Sequence, residues 1–165
     1  MRHSREGITE YQLQSVIEGF FSYAGTSGWS YPSIVGCGEN ATILHYKTNQ
    51  DVCAMDEVIL IDAGAEYRGY ASDITRSWPI SGTFTDAQKE IYQVVLDSQL
   101  AAIDACRVGN LYTAPHEAAR TVLAEGLIRL GVISQTLEEA LDMETGELKR
   151  WYMHNTSHWI GLDVH

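Results

Sequence analysis

Between Thr9 and Gly25 apolar residues recur at helical spacing, as Leu13, Val16, Ile17, Phe20, Phe21 and Ala24. They follow a T-x-x-Q pair, Thr9 and Gln12, so the pattern predicts an amphipathic helix with its aromatic stripe in the core. A turn-rich stretch, 26–32, leads into a short apolar strand at 33–36. Gly38, Glu39 and Asn40 read as a tight connection to a second strand, 41–46, which His45 and Tyr46 close, and the polar residues 47–56 read as a surface segment. Val58, Ile59, Leu60 and Ile61 form an unbroken aliphatic run, the mark of a strand covered on both faces. With the stretch ending at Trp78 it makes a hairpin that turns between Gly64 and Gly69.

After Pro79, Thr85 and Gln88 form a second capping pair and open a long helix to about Cys106. Its predicted inner stripe is Ile91, Val94, Val95, Ala101, Ala102 and Ala105, and Gly109 stops it. Another helix follows Thr113, with Pro115 in its tolerant first turn, an inner face from Ala118 to Leu130, and its end at Gly131. His116, one turn in, is expected at the surface. The acidic stretch 136–149 reads as a short exposed helix broken near Gly146.

Composition narrows the choice of partners. At 165 residues the chain suits one domain with a proper core. Eleven basic against twenty-two acidic residues give a net charge of −11, which argues against nucleic acid or an anionic membrane as partner and suits a site that holds cations. Cys37, Cys53 and Cys106 are widely spaced and contain no CxxC, so neither a disulfide framework nor a zinc knuckle is expected, and a reducing cytoplasmic setting is. No apolar run approaches the roughly 18 residues of a membrane span, and no signal-peptide pattern opens the chain.

The chemistry concentrates on two acids. Asp62 ends the aliphatic run and loses water there, and a hairpin loop of even count puts it opposite or diagonal to Asp73 on the same face. Two carboxylates in one pocket require either a shared proton or a cation. A pair between Asp73 and Arg76 is the plain alternative, but residues three apart on a strand face opposite ways. At the other end, His154, His158 and His165 crowd around Gly161. Asn155 occupies the place of the glutamate that a helical H-E-x-x-H zinc motif needs, so these histidines are expected on a loop running into a strand, entering a pocket from different angles.

The segment IDAGAEYRGYASDITRSWPISGTFT, the upstream ILHY and the terminal SHWIGLDVH resemble the pita-bread metallopeptidases, and among them bacterial-type aminopeptidase P, from about Tyr11 to the last residue. The resemblance implies an α+β pita-bread fold, an antiparallel sheet with covering helices, truncated at its C-terminal end. Residues 1–165 would be part of a catalytic domain, without the N-terminal domain and the last strands. It implies that Asp62 chelates one metal, that Asp73 bridges two, and that His158 ligates one. His45 and His165 would act at the scissile bond and stabilise the oxyanion, and His45, His154 and His165 would bind substrate. Two divalent ions, manganese first and cobalt or zinc as alternatives, would activate a bridging hydroxide for attack on the peptide carbonyl. The substrate would be a peptide with proline at its second position, and the enzyme a homo-oligomer. Two relatives of the same fold are the alternatives: a prolidase restricted to dipeptides, and a metal-free peptide- or protein-binding module.

Two departures from the family pattern carry expectations of their own. Two glutamate ligands, one also a general base, would follow the histidine segment, so the chain is expected to be an incomplete piece that binds metal weakly by itself. Asn155 stands for the family's usual Gly and is expected to tolerate positive φ in that turn.

Overall fold

The computed structural model describes residues 2–165, which divide into two compact units: the chain up to Phe84 together with His158–His165, and Thr85–Ser157. In the first unit, helix α1 spans Glu10–Tyr23. The Gln12 side chain accepts from the Thr9 amide at 3.0 Å, so one half of the expected capping box forms, while Thr9 Oγ1 is buried without a partner. Leu13 is buried, and Ile17 and Phe21 pack against the core, but Phe20 is 62% exposed and leaves the predicted stripe.

Strands β1 (Gly28–Trp29), β2 (Ile34–Cys37), β3 (Val58–Ala63), β4 (Ala65–Glu66) and β5 (Ile74–Pro79) make two antiparallel sheets, β1-β4 and β2-β3-β5. The central strand β3 alternates rather than being covered on both faces. Ile59, Ile61 and Ala63 are buried with Val35, Cys37, Ile8 and Leu13, while Val58, Leu60 and Asp62 are half-buried. Period-two alternation places these on opposite faces of the sheet, so Asp62 sits on the less covered one.

The second predicted strand, 41–46, does not form; a 3-10 turn spans Gly38–Thr42, and His45 takes a left-handed backbone at φ 53°. A β-branched, aromatic run loses here to the local demands of one buried acid. Glu10, on the first turn of α1 and fully buried, accepts from the Cys37 amide (2.8 Å), Asn40 Nδ2 (3.1 Å), Tyr46 Oη (2.8 Å) and the Asp51 amide (3.0 Å). Those four donors fold the 38–51 segment around the carboxylate. The segment 47–56 is correspondingly not all surface. Asn49 and Cys53 are buried, and Cys53 is joined to Cys37 in a disulfide with Cα atoms 5.5 Å apart, against the expectation of no such bond.

In the second unit, α2 (Asp86–Asp104) starts on a complete Thr85/Gln88 capping box, and α3 (Ala114–Arg129) carries Pro115 in its first turn and ends before Gly131 at φ 71°. The inner face of α2 is Val94, Ser98 and Ala102; Ile91 and Val95, predicted inward, are 41% and 52% exposed. Close approach explains the narrow stripe, because Gly126 of α3 sits against Val94 and leaves no room for a Cβ. The acidic stretch becomes two single-turn helices, α4 (Leu137–Ala140) and α5 (Leu148–Trp151), on either side of Gly146. Among the described residues no helix is long and apolar enough to cross a membrane.

Candidate metal centre

The site is built by the β3–β5 register. Asp62 pairs with Thr75 and with Ile34 of β2, so Asp73, two residues before Thr75, is its diagonal neighbour on the same face. Gly64, between β3 and β4, allows a close approach of chain segments: its carbonyl accepts from the Ser30 amide at 2.8 Å, and Ser30 Oγ donates to the Ser72 carbonyl at 2.6 Å. A side chain at position 64 would overlap that Ser72 carbonyl.

Tyr31 joins the two acids. Its hydroxyl lies within hydrogen-bond distance of Asp62 Oδ1 and of Asp73 Oδ1, the latter at 2.8 Å. Burial and these two carboxylates push the phenol far above its ordinary range, so it stays protonated. One O–H proton cannot be donated fully to two acceptors, and the electrostatic conflict shows on Asp62. Burial, with the nearby Asp73 charge, raises its carboxyl above the usual range, although Tyr31 opposes the shift. Tyr31 escaped the sequence reading because it lies in a turn-rich stretch. Its only signal there is an aromatic hydroxyl immediately before the Pro32–Ser33 entry to β2. Arg76 donates to the Thr75 carbonyl, which leaves Asp73 to another partner.

That partner is His158, whose Nε2 is 3.0 Å from Asp73 Oδ2. The residues around it dock by the Ala71 amide donating to the Gly161 carbonyl at 2.8 Å. No strand forms there; the stretch is irregular, and Ser157, next to His158, adopts φ 64°. The left-handed position is thus Ser157 and not Asn155. His165 stands edge-on to His158 with ring centroids 5.0 Å apart and stacks on His45 at 6.3 Å. The first unit therefore brings together Asp62, Asp73, His158, His45 and His165. His154 lies in the second unit, where its ring meets Tyr152 edge-on at 5.1 Å.

The donor set fits a divalent cation in kind: carboxylate oxygens and one borderline imidazole nitrogen around a like-charge conflict that a cation would relieve. Asp62, Asp73 and His158 are the side chains that would hold it. As they stand, their donor atoms point into Tyr31 and into each other, and among the described residues no three His, Cys, Asp or Glu side chains form a cage for an ion.

His158 gives a pH prediction. Its Nδ1 faces the Trp159 carbonyl at 2.8 Å and its Nε2 faces Asp73, so both nitrogens have acceptors, an arrangement that favours imidazolium. The Trp159 carbonyl first, then Asp73, raise its pKa above the ordinary 6.5, against the opposing effect of burial. Because the folded value is the higher one, the stabilisation is complete below the unfolded value and is lost as pH rises through the folded one. The imidazole is 40% exposed, so this amounts to less than about 1 kcal/mol. In metal-free protein an NMR titration of His158 should give a midpoint above 6.5 that falls when manganese is added and competes for Nε2. A midpoint at or below the ordinary value contradicts the geometry.

The chain belongs to metallopeptidase family M24, whose sequence pattern matches residues 1–165. It is 40% identical over 166 residues to the Xaa-Pro aminopeptidase of Escherichia coli strain K12, an alignment that takes in all of this chain and 37% of that protein. The structure of Pseudomonas aeruginosa aminopeptidase PepP superposes with a TM-score of 0.90 at 39% identity, over 99% of this chain and 36% of the other. A zinc-substituted E. coli aminopeptidase P in complex with product gives 0.91 at 38% identity, over 99% and 37%. The chain thus spans little more than a third of the length of these relatives, and its α+β fold with antiparallel sheets is the pita-bread fold expected.

Proposed function

We propose that the full-length protein is a metal-dependent Xaa-Pro aminopeptidase, which removes an N-terminal residue preceding proline. The observation that carries this reading is the convergence of Asp62, Asp73 and His158 on one end of the β3–β5 pair, linked through Tyr31 and the 3.0 Å contact of His158 with Asp73. The 40% identity to an Xaa-Pro aminopeptidase over the whole chain supports it. Bound divalent ions, manganese in this proposal, supply a strongly acidified water and a Lewis acid for the peptide carbonyl. The remaining ligands that the resemblance implies, two glutamates, belong to the full-length protein.

The chain's own residues supply the rest. The Trp159 carbonyl, facing His158 Nδ1, would hold the ring with Nε2 free to turn from its present contact with Asp73 to the ion. His45 and His165, side by side, offer two imidazole N–H donors to the oxygen of a scissile carbonyl as it gains negative charge. A proline amide has no N–H, so a peptidase that needs one at that position cannot serve such substrates, which gives a dedicated enzyme its physical reason. The reading includes a cytoplasmic homo-oligomer.

Full-length protein should take up manganese and, with it, hydrolyse tripeptides and longer Xaa-Pro peptides, and Asp73→Ala should lose both properties. Cleavage of Xaa-Pro dipeptides alone would identify a prolidase instead. Absence of metal uptake in the full-length wild type would point to a binding module.

A further inference from the structure

His116 was expected at the surface, yet it is half-buried and faces the segment that carries His154. The Thr156 amide donates to His116 Nδ1 at 3.2 Å, and Thr156 Oγ1 lies 3.2 Å from the same nitrogen. A backbone N–H is only a donor, so Nδ1 must present its lone pair, and the ring is neutral with its proton on Nε2. Burial, which pushes His116 below the ordinary histidine range, favours the same state.

The contacts continue toward His154. Tyr152 Oη is hydrogen-bonded to Thr156 Oγ1. The Thr156 amide takes the one lone pair of Nδ1, and the Thr156 hydroxyl, beside the same nitrogen, links it to Tyr152 Oη. The Tyr152 ring lies 5.5 Å from His116 on one side and meets His154 edge-on at 5.1 Å on the other. His154 Nδ1 is 2.9 Å from the Asn155 carbonyl, which can only accept, so Nδ1 carries a proton. His116 and His154 both line the same cavity, with Tyr152 and Asn155 between them.

We propose that His116 is a positioning residue for His154, acting through Thr156 and Tyr152. By accepting the Thr156 amide it ties the 152–156 segment to α3, and through the two hydroxyls it sets the Tyr152 ring against which His154 rests. The inference deepens the peptidase reading and rests on it for the claim that His154 binds substrate; the clamp itself rests on the hydrogen bonds.

The test uses full-length protein with 15N-labelled histidine, and three variants. His116→Asn keeps an acceptor near the Nδ1 position, His116→Leu removes it, and Tyr152→Phe removes the linking hydroxyl while keeping the ring. The expected result in wild type is a His116 Nδ1 resonance of the unprotonated type at neutral pH. His154 ring resonances should move in His116→Leu and Tyr152→Phe and stay near wild type in His116→Asn. In Xaa-Pro tripeptide hydrolysis, His116→Leu should lose about 10- to 100-fold in kcat/KM, as supporting partners of catalytic groups do, with recovery in His116→Asn. Three outcomes overturn the proposal: a protonated Nδ1, His154 resonances unmoved in His116→Leu and Tyr152→Phe, or equal losses in the Asn and Leu variants. If His116→Leu does not fold, Tyr152→Phe and the wild-type Nδ1 resonance still decide. If the wild type shows no Xaa-Pro cleavage, the peptidase reading fails while the NMR results judge the clamp on their own.

Discussion

Replacing Glu10 by Ala should destabilise the protein by about 3–5 kcal/mol, because the buried amide of Cys37 and the part-buried amide of Asp51 lose their acceptor together, at about 1–3 kcal/mol for each unpaired donor. Tyr46 Oη and Asn40 Nδ2 lose the same partner. Against a typical total of about 5–15 kcal/mol, that is enough to unfold a large fraction of the molecules on modest heating. Glu10→Gln is the sharper variant. It keeps the shape and one acceptor oxygen but turns an NH2 toward donors, so it should recover only part of the loss. The effect should reach the site, because the 38–51 segment wrapped on Glu10 carries His45, whose left-handed backbone persists only where its surroundings enforce it. Urea unfolding gives the stability change, and His45 ring resonances report the local one. A Gln variant as stable as wild type would show that the carboxylate does not organise the segment.

Gly64→Ala should cost about 3 kcal/mol or more, since the new methyl group meets the Ser72 carbonyl, backbone that cannot turn aside like a flexible side chain. Ser30, bonded to both Gly64 and Ser72, has to move with it. The displacement acts directly on the acids, because Asp62 precedes Gly64 by two residues and Asp73 follows Ser72. Gly19→Ala provides the contrast. That residue lies exposed within α1 with open space around it, and Ala should stabilise by about 0.5–1 kcal/mol. Thermal unfolding of both variants checks the pair. Equal small shifts in the two would mean that the packing at Gly64 yields easily.

Local chemistry announced most of the helices. The two T-x-x-Q pairs and the Gly109 and Gly131 stops depend on residues within a turn of one another, which is why α1, α2 and α3 were readable before any packing was known. The same holds for Asp62 and Asp73. Period-two geometry put the two on one face, opposite or diagonal, and the β3–β5 register settled on diagonal.

What resisted reading was set by groups far apart in the chain. The 41–46 run has strand composition, but it is bent by Glu10, more than thirty residues earlier. The Cys37–Cys53 bond depends on β2 and the 47–56 segment lying side by side, and a wide spacing without CxxC gave no sign of it. Tyr31 becomes part of the site only because β2 runs next to β3, and His116 becomes a half-buried acceptor only because the 152–156 segment packs onto α3.

By itself, then, the order of residues determined the helices, the central strand pair and the family's acid and histidine motifs, because each depends on neighbours within a few positions; the alternating burial of the central strand was not among them. Only the tertiary structure decided how those acids are held apart from water: a phenol between them, an imidazole brought 85 residues along the chain to Asp73, and a buried glutamate shaping the loop of His45. Contacts of that separation depend on which surfaces meet after collapse, and no local periodicity encodes them.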